Sequence, residues 1–143
     1  MNSEIERTIV GKLVFHGTAN IFIAFFSGGM IAAAAMGQVD GQKQDWVLAH
    51  MESLLNGMML FIVAGFIGKL TMSSKSQLIA AYCLIGMAYC NSIFGIGRGA
   101  TGALGYEFNN DLGNNITALA GQLGVPLALV AFVLIGLAAW RTR

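Results

Sequence analysis

The chain has 143 residues, of which 56% are hydrophobic and 10% are charged. A water-soluble domain of this length buries too small a fraction of its surface to remove so much apolar area from water. The composition therefore excludes an ordinary soluble domain and indicates a membrane protein. A net charge of +1 with no run of basic residues gives no sign of a nucleic-acid partner, and we expect none.

Four apolar segments, each near the ~20 residues that cross a bilayer, predict the membrane spans. They cover residues 13–36, 47–68, 78–97 and 116–140. Because backbone groups in lipid must be hydrogen-bonded internally, each segment is predicted to be a helix. We thus predict an all-α polytopic protein in which residues 1–143 form one four-helix transmembrane domain. The connectors are residues 37–46, 69–77 and 98–115, and the last of these either caps a pocket mouth or is a solvated loop.

The positive charges near the helix ends are divided unevenly between the two sides of the membrane. Six lie on the side of the termini and of connector 69–77, and only Lys43 and Arg98 lie on the other. Lysine and arginine accumulate in cytoplasmic segments, so both termini are expected in the cytoplasm. The N-terminal segment carries acidic residues and no cleavage site, and it reads as a cytoplasmic lead-in to the first span.

Cysteine and small residues constrain the assembly. Cys83 and Cys90 are separated by about 10.5 Å along a helix, beyond the ~7 Å between Cα atoms that a disulfide spans, and so free thiols are predicted. Glycine and alanine are dense in the first and last spans, which favours close helix packing or oligomerisation. Four short helices enclose little volume, so a large cofactor is expected between helices or between subunits.

Two histidines, His16 in the first span and His50 in the second, are the leading candidates for chemistry. Ionisable groups within a membrane are costly and are functional candidates by default. An imidazole there either ligates a metal or haem iron or hydrogen-bonds a neighbouring helix. One histidine would leave an iron coordination site open, whereas both together would make a six-coordinate haem suited to electron transfer.

Further polar residues lie on the second and third spans. Asn56 follows His50 by six residues, so the two side chains point about 120° apart on one helix. If both serve one flat cofactor, different protomers supply them. Glu52 shares the face of Asn56, and Tyr89 and Asn91 are polar groups of the third span. The alternative interpretation of Asn56 is an interhelical hydrogen-bonding residue, and that of Glu52 is an acid near the outer interface.

The motifs in these spans resemble a known family. Ala49-His50, followed by the sequence LNGMM at 55–59, is similar to the second helix of bacterial styrene oxide isomerases. Residues 16–17 (HG) and 21–22 (IF) resemble the first helix of that family, and residues 98–99 (RG) after the third span agree with it. The resemblance covers most of the chain, and the block in the second helix is its specific part.

The resemblance implies a fold, a cofactor and a reaction. Enzymes of that family are trimers that hold haem b between protomers through one histidine, and their ferric iron acts as a Lewis acid on an aryl epoxide. A 1,2-hydride shift then gives an aldehyde. By position, His50 would ligate the haem iron and Asn56 would hold the substrate oxygen. The implied partners are a small apolar epoxide, membrane lipid and two further copies in a homotrimer, in the bacterial inner (cytoplasmic) membrane.

The third span departs from the family pattern. The family sites also use a tyrosine and an aspartate from the third helix, but residues 70–105 contain no aspartate. An ungapped comparison puts Gly95 at the position of the tyrosine, so Tyr89 is taken as the second catalytic candidate in its place. The competing interpretations are a non-enzymatic haem-b protein, either a small cytochrome with His16 as second ligand or a haem sensor, and a membrane scaffold without a cofactor.

Overall fold

Four long helices make up the computed structural model, which describes residues 3–39, 41–102 and 104–142. They are α1 (Ser3–Ala35), α2 (Lys43–Phe66), α3 (Ser74–Thr101) and α4 (Leu112–Arg141), and a 3-10 turn at Ile67–Lys69 extends α2. Each helix is long and apolar enough to cross a membrane. The prediction of an all-α protein with four candidate transmembrane helices is confirmed.

The helices extend beyond the predicted spans, and the connectors are correspondingly shorter. The N-terminal segment predicted as a lead-in belongs to α1 itself, and α3 continues past Arg98, so the predicted connector 98–115 is reduced to residues 102–111. Local signals set these ends: Gly102 ends α3 with a φ of 67°, and the Asp111 side chain caps α4 by accepting from the Asn114 N–H. Hydropathy detects only the apolar middle of such helices.

The helices pack in chain order, with α3 at the centre. Helix α2 lies against α1 and α3, α4 lies against α3, and α1 also contacts α3. The most apolar window of α3 is 44% buried within the chain, compared with 17% for those of α1 and α4. Leu13, Leu60 and Leu84 meet in the core with no exposed surface. The outer helices therefore present most of their apolar side chains to lipid or to other copies.

Contacts at the two ends of the bundle define its topology. The Thr71 N–H donates to the Thr142 hydroxyl at 2.9 Å, and the Glu6 side chain lies against Gly68. Both ends of the described chain and the α2–α3 connector therefore share one end of the bundle. The side of the membrane that this end faces stays a prediction.

A buried polar chain ties three helices together near the middle of the bundle. The Ser92 hydroxyl of α3 donates to Asn20 Oδ1 of α1 at 2.9 Å, and the Ser53 hydroxyl of α2 lies 2.9 Å from that of Ser92. Because the Ser92 hydrogen is used by Asn20, Ser53 is the donor in the second bond. All three side chains are buried, and these bonds fix the relative rotation of α1, α2 and α3.

Candidate functional site

His50 is held in one orientation at the seam between α1 and α2. Its Nδ1 lies 2.8 Å from the carbonyl oxygen of Ala24. Because a carbonyl only accepts, Nδ1 carries the hydrogen and Nε2 keeps a lone pair. A Cβ at Gly28 would come within 3.2 Å of Nδ1, so the glycine leaves room for the ring. A hydrogen bond of this kind, from the nitrogen that does not bind metal to a carbonyl oxygen, orients metal-binding histidines.

The surroundings of His50 fit a haem better than a bare metal ion. Within the described ranges, no group of three or more histidine, cysteine, aspartate or glutamate side chains could hold a metal ion. A porphyrin brings its own nitrogen ligands and needs only an axial imidazole. The ring is half-buried, and the exposed side chains of Val47 and Met51 adjoin it on α2. The residues present therefore fit haem b, which His50 would hold through Nε2.

His16 occupies a different place and has a different partner. Its Nδ1 lies 2.9 Å from the hydroxyl of Tyr89 on α3. Along α1, His16 precedes Ala24, the residue that His50 contacts, by eight positions, or about 12 Å. Since each nitrogen would lie about 2 Å from a bound metal, the two imidazoles of one chain are too far apart to share an iron. His16 and His50 therefore lie at different depths along the bundle.

Tyr89 lies at the α1–α3 seam, where its hydroxyl is engaged with His16. Among the described residues it has no hydrogen bond to His50 or Asn56, and its assignment as a catalytic residue stays a prediction. Gly95 of α3 lies where α2 and α3 approach closely. A Cβ there would lie 2.6 Å from the Cα of Ala49, so α2 and α3 approach too closely for any side chain.

Asn56 lies on the side of α2 that faces α3, and it is 7% exposed. The Asn91 amide donates to Asn56 Oδ1 at 3.4 Å. This bond uses the oxygen of Asn56 and leaves its own N–H groups available to another acceptor. His50 contacts α1 whereas Asn56 contacts α3, in agreement with the divergence that their spacing predicts.

Next to this amide pair lies a cleft of about 400 Å³ between α2, α3, α4 and the last connector. Its lining residues combine polar groups, apolar walls and glycines: Glu52, Asn91, Phe94, Gly105, Tyr106, Gly121, Gln122 and Val125. The Oε2 atom of Glu52 is buried and has no hydrogen-bond partner among the described residues. Sequence reasoning missed Tyr106 and Gln122, because neither belongs to a motif. The packing of α4 brings Gln122 to the cleft, and contacts with α3 bring Tyr106 there.

Arg98 holds the last connector over this cleft. Its guanidinium forms an ion pair with Asp45 of α2 at 3.0 Å and donates to the Tyr106 hydroxyl at 3.2 Å and the Leu104 carbonyl at 3.4 Å. The Tyr106 ring also packs against Phe94, with their centroids 6.4 Å apart. The connector thus contributes Gly105 and Tyr106 to the wall of the cleft, while most of its other described residues are exposed. Its role as the cap of a pocket mouth stays a prediction.

Comparison with known proteins agrees with the motifs carried by these helices. No curated protein matches the chain. The family model described as styrene oxide isomerase matches residues 9–140, which include His50, Asn56 and all the residues of the cleft. The match extends over nearly the whole chain and all four helices. The chain therefore belongs to the styrene oxide isomerase family.

Proposed function

We propose that the protein is a haem-b-dependent epoxide isomerase that converts an aryl epoxide to an aldehyde. Membership of the styrene oxide isomerase family supports an epoxide isomerase. The observation that carries the cofactor assignment is the hydrogen bond from His50 Nδ1 to the Ala24 carbonyl, since it fixes the ring and, in the neutral imidazole, leaves the Nε2 lone pair for a metal ion.

The proposed chemistry divides the work between two side chains. When bound, haem b supplies a ferric iron that acts as a Lewis acid towards the epoxide oxygen. His50 holds the haem, and the Asn56 amide donates a hydrogen bond to the epoxide oxygen, where negative charge develops as the C–O bond breaks. The bond that breaks is the one to the carbon beside the aryl ring, because the ring stabilises the resulting positive charge.

The remaining step is an internal rearrangement of the substrate. A hydride migrates with its electron pair from the carbon that keeps the oxygen to the positively charged carbon, and an oxygen lone pair completes the C=O bond. No atom is gained or lost, and no net oxidation occurs. The cleft lined by Asn91, the partner of Asn56, lies among the transmembrane helices with Tyr106 of the last connector in its wall, and this position limits attack by water and formation of a diol.

The proposed active site is shared between copies of the chain in a homotrimer. Helix α2 directs His50 towards α1 and Asn56 towards α3, so one copy does not place both on one side of a flat cofactor. In a closed ring, the His50 side of one copy would meet the side of the next copy on which the cleft beside Asn56 opens. The haem would then lie between protomers, with the ligand from one and the substrate-binding amide from the other.

We further propose that the protein lies in the bacterial cytoplasmic membrane with both termini in the cytoplasm. The six-to-two division of lysine and arginine supports this orientation. Reporter fusions after residue 142 and near Ser74 are expected to give cytoplasmic signals, and fusions near Gln42 and Asn109 the opposite signal. The reverse pattern would overturn the orientation.

Absorption spectroscopy and product analysis of the purified protein test the function. We expect a Soret band, a ferric spectrum that changes on addition of styrene oxide, and formation of the aldehyde by the oxidised protein without an electron donor. A low-spin spectrum that saturating epoxide leaves unchanged, with no aldehyde, would instead indicate a cytochrome. Absence of any Soret band after reconstitution with haem would indicate a scaffold.

A further inference from the structure

The carboxyl group of Glu52 has a position that the proposed chemistry does not use. Glu52 lies within transmembrane helix α2 and lines the 400 Å³ cleft, and its Oε2 atom is buried without a hydrogen-bond partner among the described residues. Leaving a buried polar group unpaired is costly, and buried polar atoms are nearly always paired in folded proteins. The missing partner is therefore expected to come from a molecule that enters the cleft.

The neighbouring groups of the chain do not supply that partner. Arg98 directs its guanidinium to Asp45, Leu104 and Tyr106. On the α3 side, Gly95 has no side chain to offer, and a Cβ at this position would come within 2.8 Å of Oε2. The glycine thus makes the space that the carboxyl group occupies, while the remaining wall beside it is partly apolar.

The spacing of Glu52 and Asn56 relates this carboxyl group to the proposed substrate position. The two residues are four apart on one face of α2, or about 6 Å along the helix axis. Asn91 links them, because it donates to Asn56 and lines the cleft together with Glu52. An aryl epoxide whose oxygen lies at Asn56 would extend its ring along α2 towards Glu52.

We propose that the cleft selects aryl epoxides that carry a hydrogen-bond donor, such as a hydroxyl group, on the side of the ring opposite the epoxide, and that Glu52 accepts this hydrogen bond. The placement of the substrate rests on the proposed function. A substrate without the donor would leave the carboxyl group unpaired, which lowers its binding relative to that of a matched polar substrate.

Two epoxides of nearly equal shape test this selection: styrene oxide bearing a 4-hydroxymethyl group and styrene oxide bearing a 4-ethyl group. With the full-length haem-loaded protein, we expect kcat/KM to favour the hydroxymethyl compound by about 10- to 100-fold. The E52M variant should lose this preference. The matched control is E107Q, which removes an exposed carboxylate from the connector and should keep the preference. E52A replaces E52M if that variant fails to accumulate.

Ligand-induced thermal stabilisation of the same proteins separates this proposal from the proposed function. The contact with Glu52 is supported if the hydroxymethyl compound stabilises the wild-type protein more than the ethyl compound does and this difference disappears in E52M. This result would stand even if neither compound yields an aldehyde and the isomerase function fails. Equal stabilisation and equal kcat/KM for the two compounds in the wild-type protein would overturn the contact, even if both compounds are isomerised. A preference that survives in E52M and E52A would also overturn it.

Discussion

The two sides of α2 differ in how they hold their polar groups. On the side towards α1, His50 is a single imidazole fixed by a backbone carbonyl, beside a glycine that makes room for it. On the side towards α3 and α4, Asn56 and Glu52 lie at or near a cleft together with Asn91. The first arrangement suits a rigid ligand for a cofactor, and the second suits a polar molecule that binds and leaves. In the proposed mechanism, one helix thus carries both halves of a site on faces that do not meet within one copy.

Removing the imidazole on the α1 side should have the largest effect. Loss of the hydrogen-bond partner of a metal-binding side chain lowers metal affinity by about 10- to 100-fold. H50A removes the binding side chain itself, so it should lower haem affinity by more than that. The measurement is the haem content and Soret absorbance of the purified protein. H16A is the matched control and should retain haem. An unchanged spectrum and full haem content in H50A would remove His50 from the site.

Removing the amide on the α3 side should affect the rate and spare the haem. N56A should lower kcat by on the order of 10²-fold, because one preorganised donor to the developing oxyanion is lost. Product formation under saturating epoxide measures the effect, and the Soret band shows whether haem is retained. Turnover like that of the wild type would reduce Asn56 to a packing residue.

A smaller effect is expected at Asn91, which contacts Asn56 and is therefore a positioning residue in this scheme. N91A should lower kcat by about tenfold, less than loss of the donor itself. In the N56A background the same change should have little further effect on kcat, because the residue to be positioned is already absent. Full additivity of the two substitutions would show that Asn91 acts independently of Asn56.

The smallest expected effect concerns the polar chain that sets the rotation of α2 between its two neighbours. S92A removes the bonds to Asn20 and Ser53 and should destabilise the fold by about 1 kcal/mol, as is typical of hydrogen bonds between membrane helices. Denaturation in mixed micelles measures this change in the free energy of unfolding. T18A is the control, because the Thr18 hydroxyl is exposed and bonds only within α1. Equal stability of S92A and T18A would show that the chain does not fix the helix rotation.

The sequence predicts the features that depend on one helix at a time. Hydropathy located all four helices, and the rotation of an α-helix per residue placed His50 and Asn56 on different faces of α2. The sequence alone does not predict contacts between distant segments. His16 and Tyr89, for example, are 73 residues apart, and their pairing depends on the rotation of two helices. The close contact at Gly95 likewise depends on two helices, because it comes from the packing of α3 against Ala49 of α2.

Complementation between two inactive variants tests the division of the site most directly. H50A and N56A, carrying different affinity tags, are co-expressed and the mixed oligomers are purified through both tags. If His50 and Asn56 act from different copies, about one site in each mixed trimer regains both residues, and aldehyde formation returns to about a third of the wild-type rate. If mixed oligomers that contain haem stay as inactive as the separate variants, the two sides of α2 do not serve one shared site.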